Sequence, residues 1–172
     1  MWRMIVDFFR ESPQRHIVAQ AIVRNGFRVE GPPTDPVIKC GDIRIPFKSL
    51  GSALGIDRRT VRATAEDICS NTELCDFFRN LRPAGPSLEG VRHVFGYGVV
   101  TIFVESPETP GILSEVTARI ANNGIPIRQV LAEDVAIYEE PCLKVITQNP
   151  LPGRVIETLS EIKGVRKVII EK

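Results

Sequence analysis

At 172 residues with a formal net charge of +1, the chain fits one ordinary domain or two small ones and is not a strongly basic nucleic-acid binder by charge alone. No apolar run approaches the roughly 18 residues of a membrane-spanning helix. The N-terminal stretch, with Asp7 inside a short apolar run, reads as a helix and not as a signal peptide.

The 4 cysteines lack CxxC spacing and the 2 histidines are isolated, so the expectation is reduced thiols in a cytoplasmic protein with no metal and no cofactor. The charge divides unevenly: Met1–Phe95 carries 14 Lys+Arg against 11 Asp+Glu, and the remainder 8 against 10. That asymmetry has the sign of a nucleic-acid-facing first half.

Ser12-Pro13 opens a helix in which Ile17, Val18, Ala21 and Ile22 share a face, and Gly26 ends it. Between Phe27 and Ile45, the β-branched pairs Val37-Ile38 and Ile43-Arg44-Ile45 are broken by Gly31-Pro32-Pro33 and Gly41-Asp42. This is the pattern of short strands or a hairpin, either a wing that adds DNA contacts or a plain connection.

Residues 47–62 read as a helix-turn-helix. Gly51 is the small residue that lets two helices cross closely, Gly55 supplies the positive φ of the turn, and Asp57 is a good N-cap for the second helix. Leu50, Leu54, Ile56 and Val61 have the spacing that fills the wedge between the helices. The second helix then presents Arg58, Arg59 and Arg62, with Thr60 among them, near its N-terminus, where a recognition helix meets bases and phosphates. Asp57, Arg58, Arg59, Thr60 and Arg62 are the candidate DNA-binding residues. Glu66 and Asp67 further along would repel phosphate, and a helical hairpin with a solvated arginine face is the plainer reading of the same pattern.

The Pro- and Gly-rich segment Arg82–Ser87 marks the domain junction, dividing the chain into residues 1–86 and 87–172. Over 87–97, Leu88, Val91, Val94 and Phe95 have the spacing of a short connecting helix. The expected order beyond it is strand 98–104, helix 111–123, strand 125–133, strand 142–147, helix 152–163 and strand 165–171. Apolar faces are formed by Ile112, Leu113, Val116 and Ile120, and by Val155, Ile156, Leu159 and Ile162. The fold class is therefore α+β: a mostly helical helix-turn-helix domain with a small β-hairpin, then a ferredoxin-like βαββαβ domain with a four-stranded antiparallel sheet and both helices on one face.

Thr109 is placed to cap the first helix of the second domain, with Pro110 as its first helical residue. The amides of Gly111, Ile112 and Leu113 would then attract a carboxylate, and Glu108 could accept from an amine. Those two features together suit an α-amino acid; an ordinary capped helix without a ligand suits the same residues.

Pro110-Gly111-Ile112-Leu113, then Val116 and Ile120, then Asn123-Gly124-Ile125-Pro126-Ile127, resemble the signature of ACT domains over 98–172. The resemblance implies an amino acid or related effector in a pocket lined by the Pro110–Leu113 turn and by Ile125, Pro126 and Ile127, with assembly into a homodimer or higher homo-oligomer through this domain. Pro126 stands where serine-binding members carry a ligand-contacting Asn. The whole chain, helix-turn-helix then ACT, resembles the archaeal predicted regulators of amino-acid metabolism.

No P-loop, GxSxG or HExxH is present, so no catalytic residue is expected and the chain does not read as an enzyme. The leading expectation is a ligand-responsive transcriptional regulator. The alternative is a regulatory subunit that docks on a biosynthetic enzyme and senses its end product.

Overall fold

The computed structural model describes residues 2–171. It is an α+β chain with two antiparallel sheets that divides into two compact units, Met1–Gly85 and Pro86–Lys172. Among the described residues, no helix is long and apolar enough to cross a membrane.

The first unit runs α1 (Trp2–Phe8), α2 (Pro13–Arg24), β1 (Arg28–Glu30), β2 (Val37–Cys40), β3 (Ile43–Ile45), α3 (Phe47–Leu54), α4 (Arg58–Ser70) and α5 (Thr72–Asn80). Pro13 opens α2, where its missing N–H costs nothing. Ser12 sits at the N-cap position but makes no side-chain cap bond. The buried face of α2 is Val18, Ala19, Ile22 and Val23, one residue round from the expected face. Ile17 is exposed because α2 packs on α4 through the 18/22 and 19/23 rows.

Residues 28–45 form a three-stranded antiparallel sheet in the order β1-β2-β3, more than the hairpin expected. Val29, Ile38 and Ile45 lie in one row across it, and the first two are fully buried. With Ile5, Phe9, Val61, Ile68, Leu74 and Phe78 they are among this unit's most deeply buried side chains. Burying each such side chain contributes about 1.5–3 kcal/mol.

The second unit opens with a 3-10 turn (Glu89–Val91) and α6 (Arg92–Phe95). It continues through β4 (Gly98–Val104), α7 (Ile112–Ala121), β5 (Ile127–Ala132), β6 (Leu143–Thr147), α8 (Gly153–Ser160) and β7 (Val165–Glu171). All pairings are antiparallel in the order β5-β6-β4-β7. Val100 and Ile102 on central β4 pack with Ile112, Val116 and Ile120 of α7 and with Val155 and Leu159 of α8. Leu113, expected on that face, is exposed.

Strand β5 starts at Ile127 and not at residue 125, because Pro126 has no amide to give a ladder. The Pro126 carbonyl accepts instead from Gln148 N–H at 2.9 Å.

On the sheet's other face, residues 86–95 are held by polar contacts. Gln129 accepts from Leu88 N–H (2.8 Å) and donates to the Pro86 carbonyl (2.8 Å), Lys144 pairs with Glu89 (2.6 Å), and Arg92 with Glu171 (3.5 Å). The expected amphipathic reading of this segment is thereby inverted. Glu89 and Arg92 make the attachments, while Val91, Val94 and Phe95 are exposed.

Candidate functional site

Two places carry the candidate residues. The first is the α3–α4 corner. Helix α3 ends at Gly55, with φ +66°, a left-handed conformation that costs other residues about 1–2 kcal/mol. Ile56 N–H returns to the Gly51 carbonyl at 2.9 Å. A Cβ on Gly51 would lie 2.5 Å from the Ile56 carbonyl oxygen, so this position has room only for hydrogen. Leu50, Ile56 and Val61 are buried in the wedge and Leu54 is half-buried. Asp57 caps α4, its Oδ1 accepting from Arg59 N–H at 2.7 Å.

The corner leaves Arg58 and Arg59 exposed on the first turn of α4. Among the described residues neither side chain has a carboxylate partner. Thr60 is half-buried and lines a shallow cleft with Ser12, Pro13, Gln14 and Arg15.

Arg62 is committed elsewhere. Its Nε pairs with Glu66 at 2.8 Å, and its Nη2 donates to the Thr34 carbonyl at 3.2 Å. Asp67 likewise pairs with Arg15 at 2.5 Å. The two carboxylates expected to repel phosphate therefore each have a cationic partner.

The second place is the start of α7. The helix begins at Ile112, not at Pro110. Gly111, with φ +95°, occupies the N-cap position and no side chain caps the first amides. Thr109, the expected cap, donates its own N–H to the Ser106 carbonyl at 3.0 Å.

A cavity of about 260 Å³ lies beside this turn, lined by residues 109–113 together with Val104, Pro107, Ala132, Glu133 and residues 141–143. A groove of about 420 Å³ flanks the turn on the side of Glu115, Ile162 and Lys163. Within the cavity, Glu133 Oε2 accepts from Cys142 N–H at 3.1 Å, and the two residues also share a backbone bond. Burial, then the Glu133 carboxylate, pushes the Cys142 thiol up to about 11.

Thr109, Pro110, Gly111, Ile112 and Leu113 are thus brought together on one cavity. Glu108 is exposed and lines neither depression.

Ile125, Pro126 and Ile127 lie at the other end of the sheet, where Ile127 faces Thr147. The reason is topological. β4 and β5 both pair antiparallel with β6, so they run the same way, and the helix between them runs back. The end of β5, not its start, meets the beginning of α7. Glu133 and Cys142 enter the site through that arrangement, because Ala132 faces Leu143 across the ladder. No local motif marks either residue.

Among the described residues no cluster of His, Cys, Asp and Glu is placed to hold a metal ion. No protein-family model matches the chain. No curated protein matches it. Among solved structures, the crystal structure of PH0061 is 13% identical, aligned over 73% of this chain and 78% of that one with a TM-score of 0.26, a likeness that carries no argument.

Proposed function

We propose that the chain is a ligand-responsive transcriptional regulator of amino-acid metabolism, working in the cytoplasm as a homodimer or higher homo-oligomer. In this reading the first unit is a helix-turn-helix domain that binds DNA with the start of α4. The second is a ferredoxin-like ACT domain that binds an amino acid or related metabolite at the start of α7. One recognition helix reads one half-site, so useful affinity calls for at least two copies.

The observation that carries the reading is the α3–α4 corner. Gly51, Gly55 and Asp57 build a tight turn that presents Arg58 and Arg59 outward, and neither has a carboxylate partner among the described residues. Arg62 is left out of the contact set, since Glu66 and Thr34 hold it.

For the ligand, the uncapped amides of α7 suit a carboxylate. Val104, Ile112 and Leu143 offer an apolar wall, and Glu133 takes the ammonium-binding role first assigned to Glu108.

The test is a duplex-DNA binding assay with the native chain and with the Arg58→Glu, Arg59→Glu double variant. Binding that is lost in the variant is the expected result. A native chain that binds no duplex at low salt removes the DNA half of the reading and favours docking on an enzyme.

A thermal-shift screen against the amino acids tests the other half. A ligand at a hundredfold excess over Kd adds about 2.7 kcal/mol of stability, and Glu133→Gln is expected to diminish that gain. A flat screen removes the sensor.

A further inference from the structure

We propose that a cleft where β3, α3 and α4 meet seats a backbone phosphate of double-stranded DNA, held by Arg44, Lys48 and Arg58. The proposal rests on the DNA-binding reading above and extends the contact surface from α4 to the outer strand of the three-stranded sheet.

The first observation is a row of like charges. Arg28 faces Lys39 across β1 and β2, and Lys39 faces Arg44 across β2 and β3. Directly opposite residues share a face of the sheet, and like charges placed so are destabilising. Two carboxylates relieve the inner part of the row. Glu30 contacts Arg28 Nε at 3.0 Å and also pairs with Lys39, while Asp42 accepts from Arg28 at 3.1 Å. The Lys39 hydrogen bond holds the Glu30 carboxyl below its ordinary range, in spite of partial burial. Arg44, on edge strand β3, has no carboxylate partner among the described residues.

The second observation is where that unmatched charge goes. A cleft of about 290 Å³ is lined by Arg44, Ile45, Pro46, Phe47, Lys48 and Arg58. Three of these six residues are cationic, and none of the three has a carboxylate partner among the described residues. Elsewhere in the same unit Arg10, Arg15 and Arg62 are each paired with an acid. The nearest acids in sequence, Asp42 and Asp57, are committed to Arg28 and to the Arg59 amide respectively. Helix α3 also begins at this cleft with no side-chain cap on its first amides, adding positive potential of its own.

A polymeric phosphate fits this cleft better than a free one. Arg44 and Lys48 are exposed, and exposed cations hold a small anion weakly against water and salt. A duplex presents phosphates at fixed high density and releases counterions when cations approach. Arg58 belongs both to the cleft and to the first turn of α4, so one strand of backbone can run from the cleft onto that turn.

The experiment measures affinity for two unrelated mixed-sequence duplexes as a function of salt, using the native chain and the Arg44→Ala, Lys48→Ala double variant. The expected result is a several-fold weaker affinity, equal on both duplexes, with the salt slope shallower by about 1. A native chain that binds while the variant shows the same affinity and slope overturns this proposal alone. A native chain that binds neither duplex overturns the DNA reading and this proposal with it.

Melting both proteins in phosphate and in chloride at equal ionic strength separates the sources of phosphate. A phosphate-specific rise in Tm that the variant lacks, with unchanged DNA affinity, assigns the cleft to a free anion and overturns the backbone assignment. Both substituted side chains are exposed and Arg44 opposes Lys39, so the variant is expected to melt no lower than the native chain. Should it melt lower, Arg44→Gln, which keeps most of the side chain, provides the same comparison.

Discussion

Gly51→Ala sets two physical effects against each other at one position. Gly51 lies inside α3 with no positive φ, so helix propensity alone favours alanine by about 0.8–1 kcal/mol. The added methyl would stand 2.5 Å from the Ile56 carbonyl oxygen and 3.4 Å from the Arg58 nitrogen. Ordinary contact at the first of these needs a displacement of about 0.9 Å. Both neighbours are backbone atoms of the turn that carries Asp57 and α4, so no side chain can swing aside to make room.

Overpacking of this kind costs about 1–3 kcal/mol. With backbone atoms as the neighbours the upper half of that range applies, about 2–3 kcal/mol. After the propensity gain the expected net loss is roughly 1–2 kcal/mol, or a fall of about 4–16 °C in the melting of a unit this size. Far-UV circular dichroism follows this melting, since most of the chain's helical residues belong to the first unit. Gly55→Ala is the companion variant. A Cβ there meets nothing within 4 Å, and only the strain of φ +66°, about 1–2 kcal/mol, opposes it. An unchanged or raised Tm for Gly51→Ala would refute the claim that backbone approach at residue 51 sets the corner.

Two further predictions concern the second unit. The hydrogen bond from Lys144 holds the Glu89 carboxyl below its ordinary range against the opposing effect of burial. The stability this gives is present above the unfolded carboxylate range and is lost as pH falls through the lowered value. Burial alone would depress Lys144, but the bond and charge of Glu89 outweigh it and raise its pKa above 10.5. That contribution is present below 10.5 and is lost as pH climbs past the raised value. Glu89→Gln should therefore flatten the acid limb of the unit's Tm-versus-pH curve, and an identical acid limb would count against the ion pair. Thr101, on central β4, has a buried hydroxyl without a hydrogen-bond partner among the described residues. Thr101→Val keeps its shape, so denaturant unfolding should show stability unchanged or raised by up to about 1 kcal/mol; a loss above that size would mean the hydroxyl is satisfied.

The features legible in the sequence were those set by local geometry. Gly51, Gly55 and Asp57 fall within a few residues of one another, and each does a job that depends on its own φ, its own missing Cβ or its own side chain. The element order of the second unit was legible for the same reason, since the apolar period changes at each strand and helix. What escaped was set by pairing at a distance. Arg62 looked like a recognition residue because Thr34, whose carbonyl it binds, is far away in sequence. Glu133 carried no motif, yet the pairing of Ala132 with Leu143 delivers it to the α7 turn. The resemblance implies that Ile125–Ile127 share a pocket with that turn, while strand direction puts them at the opposite end of the sheet within one chain.

Charge gives the sharpest case of this difference. The first half of the chain has a small formal excess of cations, too small by itself to imply a polyanionic partner. A count of that kind treats every carboxylate as available to every cation. In the folded unit Glu30, Asp42, Glu66 and Asp67 are each tied to a particular basic side chain, and Asp57 is tied to an amide. Among the cations that have no carboxylate partner among the described residues, Arg44, Lys48, Arg58 and Arg59 lie together around one cleft and one helix turn. Because potential near a surface falls off within about 10 Å at ordinary salt, that local surplus, and not the net charge, is what an approaching phosphate would meet.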